Sequence, residues 1–177
     1  MASTFFSAFN AGTIQLYKLG ADQSVTQWTA FDNLAPSDLT EFDGNVWFGG
    51  NTAAQGPQLY KLGFDGSVTQ WTAINPGGVG LGPFDLTEFN DALWFNGSTG
   101  TQGTQLFKLG FDGSVTKWTA LNTSGGGLDP FNLTEFNNAM WFDGVTASPG
   151  IQLFKLGADS SVTQWTAINP GGLSRKI

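Results

Sequence analysis

Cysteine and histidine are both absent from this chain of 177 residues, and charged residues make up only 12% of it. Without cysteine there is no disulfide, no thiolate metal site and no thiol nucleophile. Without histidine, Ser-His-Asp and Cys-His catalysis are excluded, as is any imidazole metal ligand. Seven Lys and Arg stand against fourteen Asp and Glu, a formal net charge of −7. Nucleic-acid binding needs a basic footprint, so that partner is not expected. No apolar run approaches a membrane span and no basic amphipathic helix is present, so membrane insertion is not expected. The opening MASTFFSAFN lacks a basic n-region and a long apolar core, and does not read as a conventional signal peptide.

Present in quantity are glycine, at 25 positions, and aromatic residues, at 14%. That mixture suits many short strands joined by turns and is too apolar for a disordered chain. The length allows one domain, in which about 70% of the unfolded chain's surface is buried.

The dominant feature is repetition. QLFKLGFDGSVTKWT, Gln105–Thr119, recurs in close copies beginning at Gln15, Gln58 and Gln152. Lys61, Lys108 and Lys155 are spaced by 47 residues, as are Trp71, Trp118 and Trp165; the first interval, Lys18 to Lys61, is 43. Each copy reads as a hairpin, and Asp65-Gly66 and Asp112-Gly113 predict a two-residue type I′ turn at its tip. A second block lies between the hairpins: SDLTEFDGNVWF from Ser37, FDLTEFNDALWF from Phe84 and FNLTEFNNAMWF from Phe131. It too reads strand–turn–strand, bending at Asp43-Gly44, Asn90-Asp91 and Asn137-Asn138, residue types that tolerate the left-handed region. One period is therefore four strands: A (DLTEF), B (ALWF), C (QLFKLG) and D (SVTKWTA). The first copy is incomplete. Ser3–Asn10 align with strand B, with Thr4 placed where later copies carry Trp, and no strand A precedes them. The expected order is B-C-D followed by A-B-C-D three times.

Four antiparallel strands per unit of this length predict an all-β fold, a small β-propeller of four four-stranded blades. A β-trefoil would need three units, and an open solenoid would need capping units that neither end resembles. The blades are expected at about 1–34 (partial), 35–80, 81–127 and 128–172, with 173–177 as a tail, all within the single domain 1–177. The innermost strand of the first blade is left to the C-terminal tail, to another chain, or absent. An unpaired edge invites association, so a homo-oligomer through the incomplete first blade is one expected partner state. In a meander the A–B and C–D turns share one face. The longer connections share the other: Gly49–Pro57, Asn96–Thr104 and Asp143–Ile151 for B–C, and Phe31–Ser37, Asn75–Pro83 and Asn122–Pro130 for D–A. Function sits more often on loops carried by a rigid scaffold, so the long-loop face is where binding is expected.

Pro83–Ser114 reads PFDLTEFNDALWFNGSTGTQGTQLFKLGFDGS, and INPGG stands at Ile74–Gly78 and Ile168–Gly172. In these stretches the chain resembles the ELWxxDGT-repeat proteins of bacteria, repeat by repeat over nearly its whole length. The signature departs at Gln105, where the family has Glu, at Phe107, where it has Trp, and by two extra residues before Asp112-Gly113. An even insertion preserves the alternation of faces. The resemblance implies a propeller-like fold and an extracellular or cell-surface location, and it brings no catalytic residue.

Trp47, Trp94 and Trp141 on strand B stand just before the B–C loops, and Trp28, Trp71, Trp118 and Trp165 lie on strand D. The plain reading of both sets is packing between blades. The functional reading is a sugar-stacking platform made by Trp47, Trp94 and Trp141. Asn51, Asn75, Asn96, Gln102, Asn122, Asp143 and Asn169 are the polar residues expected in the loops, either as turn formers or as groups that grip sugar hydroxyls. Glu41, Glu88 and Glu135 on strand A and Lys61, Lys108 and Lys155 on strand C are expected to form a structural ring of charge pairs. Calcium wants six to eight oxygens, so no metal is assigned, and no cofactor. Equivalent positions around a ring repeat one environment, which argues against the dissimilar carboxylate pair of a glycosidase and against an enzyme. The glycine-rich Gly77–Gly82 follows no parallel strand and opens no helix, so it is no phosphate loop. These residues together point to a non-catalytic binding module, lectin-like, with glycans as partner and repeated shallow sites on the long-loop face. The alternative is a structural, self-assembling repeat scaffold without a small ligand.

Overall fold

The computed structural model describes residues 4–28, 34–52, 56–63, 65–71, 81–98, 103–118, 128–146 and 150–165. All of their regular structure is strand, and the chain divides into two compact units, Met1–Phe84 and Asp85–Ile177. The N-terminal unit holds a three-stranded sheet of β1 (Thr4–Asn10), β2 (Thr13–Leu19) and β3 (Val25–Gln27). Its second sheet has four strands, β4 (Ser37–Phe42), β5 (Asn45–Thr52), β6 (Gly56–Leu62) and β7 (Val68–Gln70). The other unit carries β8 (Phe84–Glu88), β9 (Ala92–Ser98), β10 (Thr104–Gly110) and β11 (Val115–Lys117) in one sheet. In its second are β12 (Phe131–Glu135), β13 (Ala139–Val145), β14 (Ile151–Gly157) and β15 (Val162–Trp165). Every sheet is an antiparallel meander in chain order. The strand order is the one the repeats predict; among the described residues the first sheet has no strand A, and the tail 173–177 to which it was left lies outside them.

Register corrects one alignment. Phe5 pairs with Lys18 as Trp47 pairs with Lys61, so Phe5, and not Thr4, occupies the tryptophan position of the first repeat. Phe5 also meets Trp28 edge to face, as Trp47 meets Trp71.

The turns differ in type from expectation at one of two places. At the A–B bends both central residues have positive φ (Asp43 48° and Gly44 65°, Asn90 50° and Asp91 57°, Asn137 51° and Asn138 55°), as a type I′ turn requires. At the C–D tip the turn is not type I′. Gly63 N–H donates to Ser67 O at 2.9 Å and Gly66 N–H to Gly63 O at 3.0 Å. Gly66 has φ 82° and Asp65 is absent from the left-handed region, so this is a three-residue loop ending in a G1 bulge. The same hydrogen bonds recur at Gly20–Ser24, Gly110–Ser114 and Gly157–Ser161.

Alternation gives every sheet two apolar faces. Trp47 on β5, opposite Lys61 on β6, shares one face with Leu59 and Trp71, while Val46, Phe48, Tyr60 and Leu62 occupy the other. Within the N-terminal unit the core joins Phe5, Leu16 and Trp28 of the first sheet to Val46, Phe48, Tyr60, Leu62 and Val68 of the second. The C-terminal unit repeats the match, Trp94, Leu106 and Trp118 against Met140, Phe142, Phe154, Leu156 and Val162. Within each unit the two sheets thus stack face on face, the tryptophan face of the first covered by the phenylalanine face of the second.

Candidate functional site

The first strands β4, β8 and β12 share an unusual backbone. Asp38, Asp85 and Asn132, at the same place in each repeat, have φ of 53°, 53° and 58°. The pairing register shifts there, between Ser37 and Thr40 and between Phe131 and Thr134, which marks a β-bulge. Asp and Asn are the non-glycine residues best able to take a left-handed backbone, because their short polar side chains hydrogen-bond locally. Bulges with such residues concentrate at sites where a side chain is re-aimed.

Here the re-aimed groups form a chain of hydrogen bonds. Asp85 Oδ2 accepts from Asn96 Nδ2 at 3.2 Å and from the Asn132 backbone N–H at 2.8 Å. Asn132 Nδ2 then donates to Asp143 Oδ2 at 2.9 Å. Position for position, Asp85–Asn96 in one repeat becomes Asn132–Asp143 in the next, with acid and amide exchanged. In the N-terminal unit the matching pair is Asp38 with Gly49. A Cβ on Gly49 would come within 2.7 Å of Pro83 O, so no side chain fits there. Nearby, Asp129 Oδ1 accepts from Thr104 N–H at 2.8 Å, tying the D–A connection to β10. Asn96 is fully buried and its Oδ1 meets no hydrogen-bond donor.

The four Asp residues of the C–D tips are occupied differently. Ser67 Oγ and N–H both donate to Asp65 Oδ1, at 2.6 and 2.9 Å, and Asp22, Asp112 and Asp159 take the same two bonds from Ser24, Ser114 and Ser161. The serine hydroxyl, followed by the serine N–H, holds each of these carboxyls below its ordinary value. All four are turn-locking carboxylates.

The residues singled out in the sequence are distributed otherwise than expected. Trp47 and Trp94 are buried, donate Nε1–H to Phe42 O and Phe89 O at 3.2 and 3.0 Å, and stand edge to face with Trp71 and Trp118 at 5.1 and 5.3 Å. Trp141 makes the same contacts, to Phe136 O at 3.2 Å and Trp165 at 5.3 Å, but is only half-buried. These rings are packing elements, not loop-face platforms. Asn51, Asn96 and Asp143 lie within β5, β9 and β13, because strand B runs further into the supposed loop than its composition suggests. Asn75, Gln102, Asn122 and Asn169 lie outside the described residues.

The expected charge ring is absent among the described residues, and register gives the reason. Lys61 shares a cross-strand row with Thr40 and Trp47, whereas Glu41 shares the next row with Val46 and Leu62, so the two side chains leave opposite faces of the sheet. Thr134, Trp141 and Lys155 against Glu135, Met140 and Leu156 repeat this. The lysines instead lie over tryptophan: Lys61 Nζ is 5.8 Å from the Trp47 ring centre and 6.0 Å from Trp71, Lys108 5.7 Å from Trp94, and Lys155 5.9 Å from Trp141. Cation–π attraction replaces the salt bridge. Glu41, Glu88 and Glu135 are exposed.

Sequence reasoning passed over two sets of polar residues. Asp38, Asp85 and Asn132 were read only as the start of a strand; the signal was an Asp or Asn before every Leu-Thr-Glu-Phe. Gln15, Gln58, Gln105 and Gln152 are buried at the same point of strand C in all four repeats. A buried amide needs partners, and Gln152 takes one bond from Gln164 Nε2 at 3.3 Å while giving another to Ile151 O at 2.7 Å.

No protein-family model matches the sequence, and no curated protein matches it. Solved structures do. A virginiamycin B lyase from Staphylococcus aureus superimposes with a TM-score of 0.61 at 20% identity, over 91% of this chain and 51% of the lyase. A prolyl endopeptidase gives 0.63 at 9% identity over 86% of this chain and 23% of its own. An acylaminoacyl peptidase from Pyrococcus horikoshii gives 0.61 at 13% identity, over 95% and 26% respectively. The chain has the β-propeller fold. Its sheets are therefore propeller blades, and the chain spans about half the length of the lyase it matches.

The lectin-like binding module expected from the sequence is corrected here, and the ligand-free scaffold with it. The propellers that this chain resembles belong to a lyase and to peptidases. The tryptophans offered as a sugar platform have their faces taken up by lysine and by a second tryptophan.

Proposed function

We propose that these blades are the propeller part of an enzyme, arranged like half of a larger propeller, and that they frame a site without supplying its reacting groups. The observation behind this reading is the match of nearly the whole chain to 51% of the lyase, with propeller-containing peptidases matching as well. The division of labour rests on the chain's chemistry. It has no histidine or cysteine to act as base or nucleophile. The carboxylates of the C–D tips are committed to locking turns, and Asp85 and Asp143 accept hydrogen bonds from asparagine amides. An acid/base pair needs two carboxyls in unlike environments, and the four tips supply like ones.

The test compares the isolated chain with the complete native protein, recovered from its source through an antibody to these blades. Both are assayed on virginiamycin B, on proline-containing peptides and on N-acylated aminoacyl peptides. Turnover by the native protein alone is the expected result. Turnover by the isolated chain, lost in Asp85→Asn, would overturn the division of labour. Inactivity of both would overturn the enzyme reading.

A further inference from the structure

Each blade has a tryptophan face and a phenylalanine face, and within each unit the first covers the second at equivalent positions. Leu16, Trp28 and Phe5 take Val46, Phe48, Tyr60 and Leu62 in one unit; Leu106, Trp118 and Trp94 take Met140, Phe142, Phe154 and Leu156 in the other. Two faces carry large apolar side chains that are exposed. On the β12–β15 blade the tryptophan face consists of Phe136, Trp141, Leu153 and Trp165. Phe136 is 61% and Trp165 41% exposed, although the equivalent Phe42 and Phe89 are at 2% and 4%. On the β1–β3 blade the phenylalanine face consists of Phe6, Tyr17, Leu19 and Val25. Leu19 is 37% and Val25 58% exposed, although the equivalent Leu62 and Leu156 are at 2% and 0%.

We infer that these two faces are the halves of one interface, formed between two copies of the chain, with the Trp141–Trp165 face of one copy seated on the Phe6–Leu19 face of the other. This rests on the half-propeller reading above. The occupant is identified by chemistry already present twice in the molecule: a tryptophan face of this composition is covered by a Val/Phe/Tyr/Leu face, and the first blade presents Thr4, Phe6, Tyr17 and Leu19 at those same register positions. Phe6 stacks on Tyr17 at 5.5 Å as Phe48 stacks on Tyr60 at 5.6 Å, so the complementary surface is already formed. Size agrees, since one chain covers 51% of the lyase and two chains therefore have about its length. A contact between unlike faces closes into a ring when the rotation per copy permits, and two copies then make the interface twice.

Sedimentation equilibrium over a wide concentration range tests the inference. The expected mass is that of two 18.8 kDa chains. Leu19→Glu and Trp165→Glu, on opposite faces, should each weaken the dimer at least about tenfold, because both put a charge into an apolar contact. Mixing the two variants in equal amounts should restore a dimer, since the mixed pair has one interface with both faces intact; a misfolded variant could not be rescued in this way. A monomer at every concentration, a dimer indifferent to both substitutions, or no recovery on mixing would each overturn the inference. None of those outcomes touches the enzyme reading, which fails instead on inactivity of the native protein.

Discussion

Asp85 Oδ2 accepts the backbone N–H of Asn132 at 2.8 Å, so one carboxylate joins the first strand of a blade to the first strand of the next. The same oxygen takes the amide of fully buried Asn96. Asp85→Ala leaves that amide and the Asn132 N–H without an acceptor, and a buried unsatisfied donor costs about 1–3 kcal/mol. Urea denaturation should show a loss in that range. A loss below about 0.5 kcal/mol would mean that the contact contributes nothing to blade cohesion.

The tryptophans of strand B give a graded expectation. Trp94→Ala removes a buried ring that meets Trp118 edge to face at 5.3 Å, and should cost about 3–5 kcal/mol. Trp141→Ala removes the equivalent ring where it is half-buried, and should cost roughly half as much in the monomer. Equal losses in urea, measured at a dilution where no dimer forms, would refute the difference in cover.

Two tips strain the backbone needlessly. Gln23 (φ 64°) and Ser160 (φ 65°) occupy the left-handed position that Gly66 and Gly113 fill in the other repeats. A non-glycine residue there is disfavoured by about 1 kcal/mol, so Gln23→Gly and Ser160→Gly should each raise stability by about that much. Gly66→Ala should do the reverse and by more, since its Cβ would meet Trp28 at 2.6 Å. Thermal melts of the three variants decide the matter.

The tip aspartates predict an acid dependence. Asp22, Asp65, Asp112 and Asp159 titrate below the ordinary value of 3.8 when folded, first because of the serine hydroxyl. A folded carboxyl pulled below its unfolded value adds stability that is complete above about pH 5 and vanishes as the pH falls through the folded value. Replacing Ser24, Ser67, Ser114 and Ser161 by Ala should therefore lower stability at pH 7 and flatten its decline toward about pH 2. Parallel pH–stability curves for the two proteins would show that the hydroxyls do not hold these carboxyls down.

The strand order was legible because a period of 47 residues repeats both the alternation and the breaks, and no helical spacing competes with it. Turn type was half legible. Asp-Gly suits both a type I′ turn and a G1 bulge, and the choice between them lies with the closing residues Gly63 and Ser67, one place further out on either side. The site was the least legible part. Whether Lys61 meets Glu41 or Trp47 turns on pairing register, and a slip of one residue sends a side chain to the other face. Burial of Asn96 follows from how far β9 runs past Phe95, which its Asn-Gly-Ser composition disguises as a loop.

The pairs Asp85–Asn96 and Asn132–Asp143 also limit how copies of a blade can diverge. Passing from one arrangement to the other by single substitutions leads through either two acids or two amides. Two carboxylates at about 3 Å repel unless one of them takes up a proton, whereas two amides donate and accept without that cost. The easier mutational route therefore runs through Asn–Asn, and the Asp–Asp intermediate is the costlier one. Blades that look interchangeable in sequence are in this respect joined to their own partners, so grafting β8 of one repeat onto β13 of another would bring acid against acid and unmake the contact.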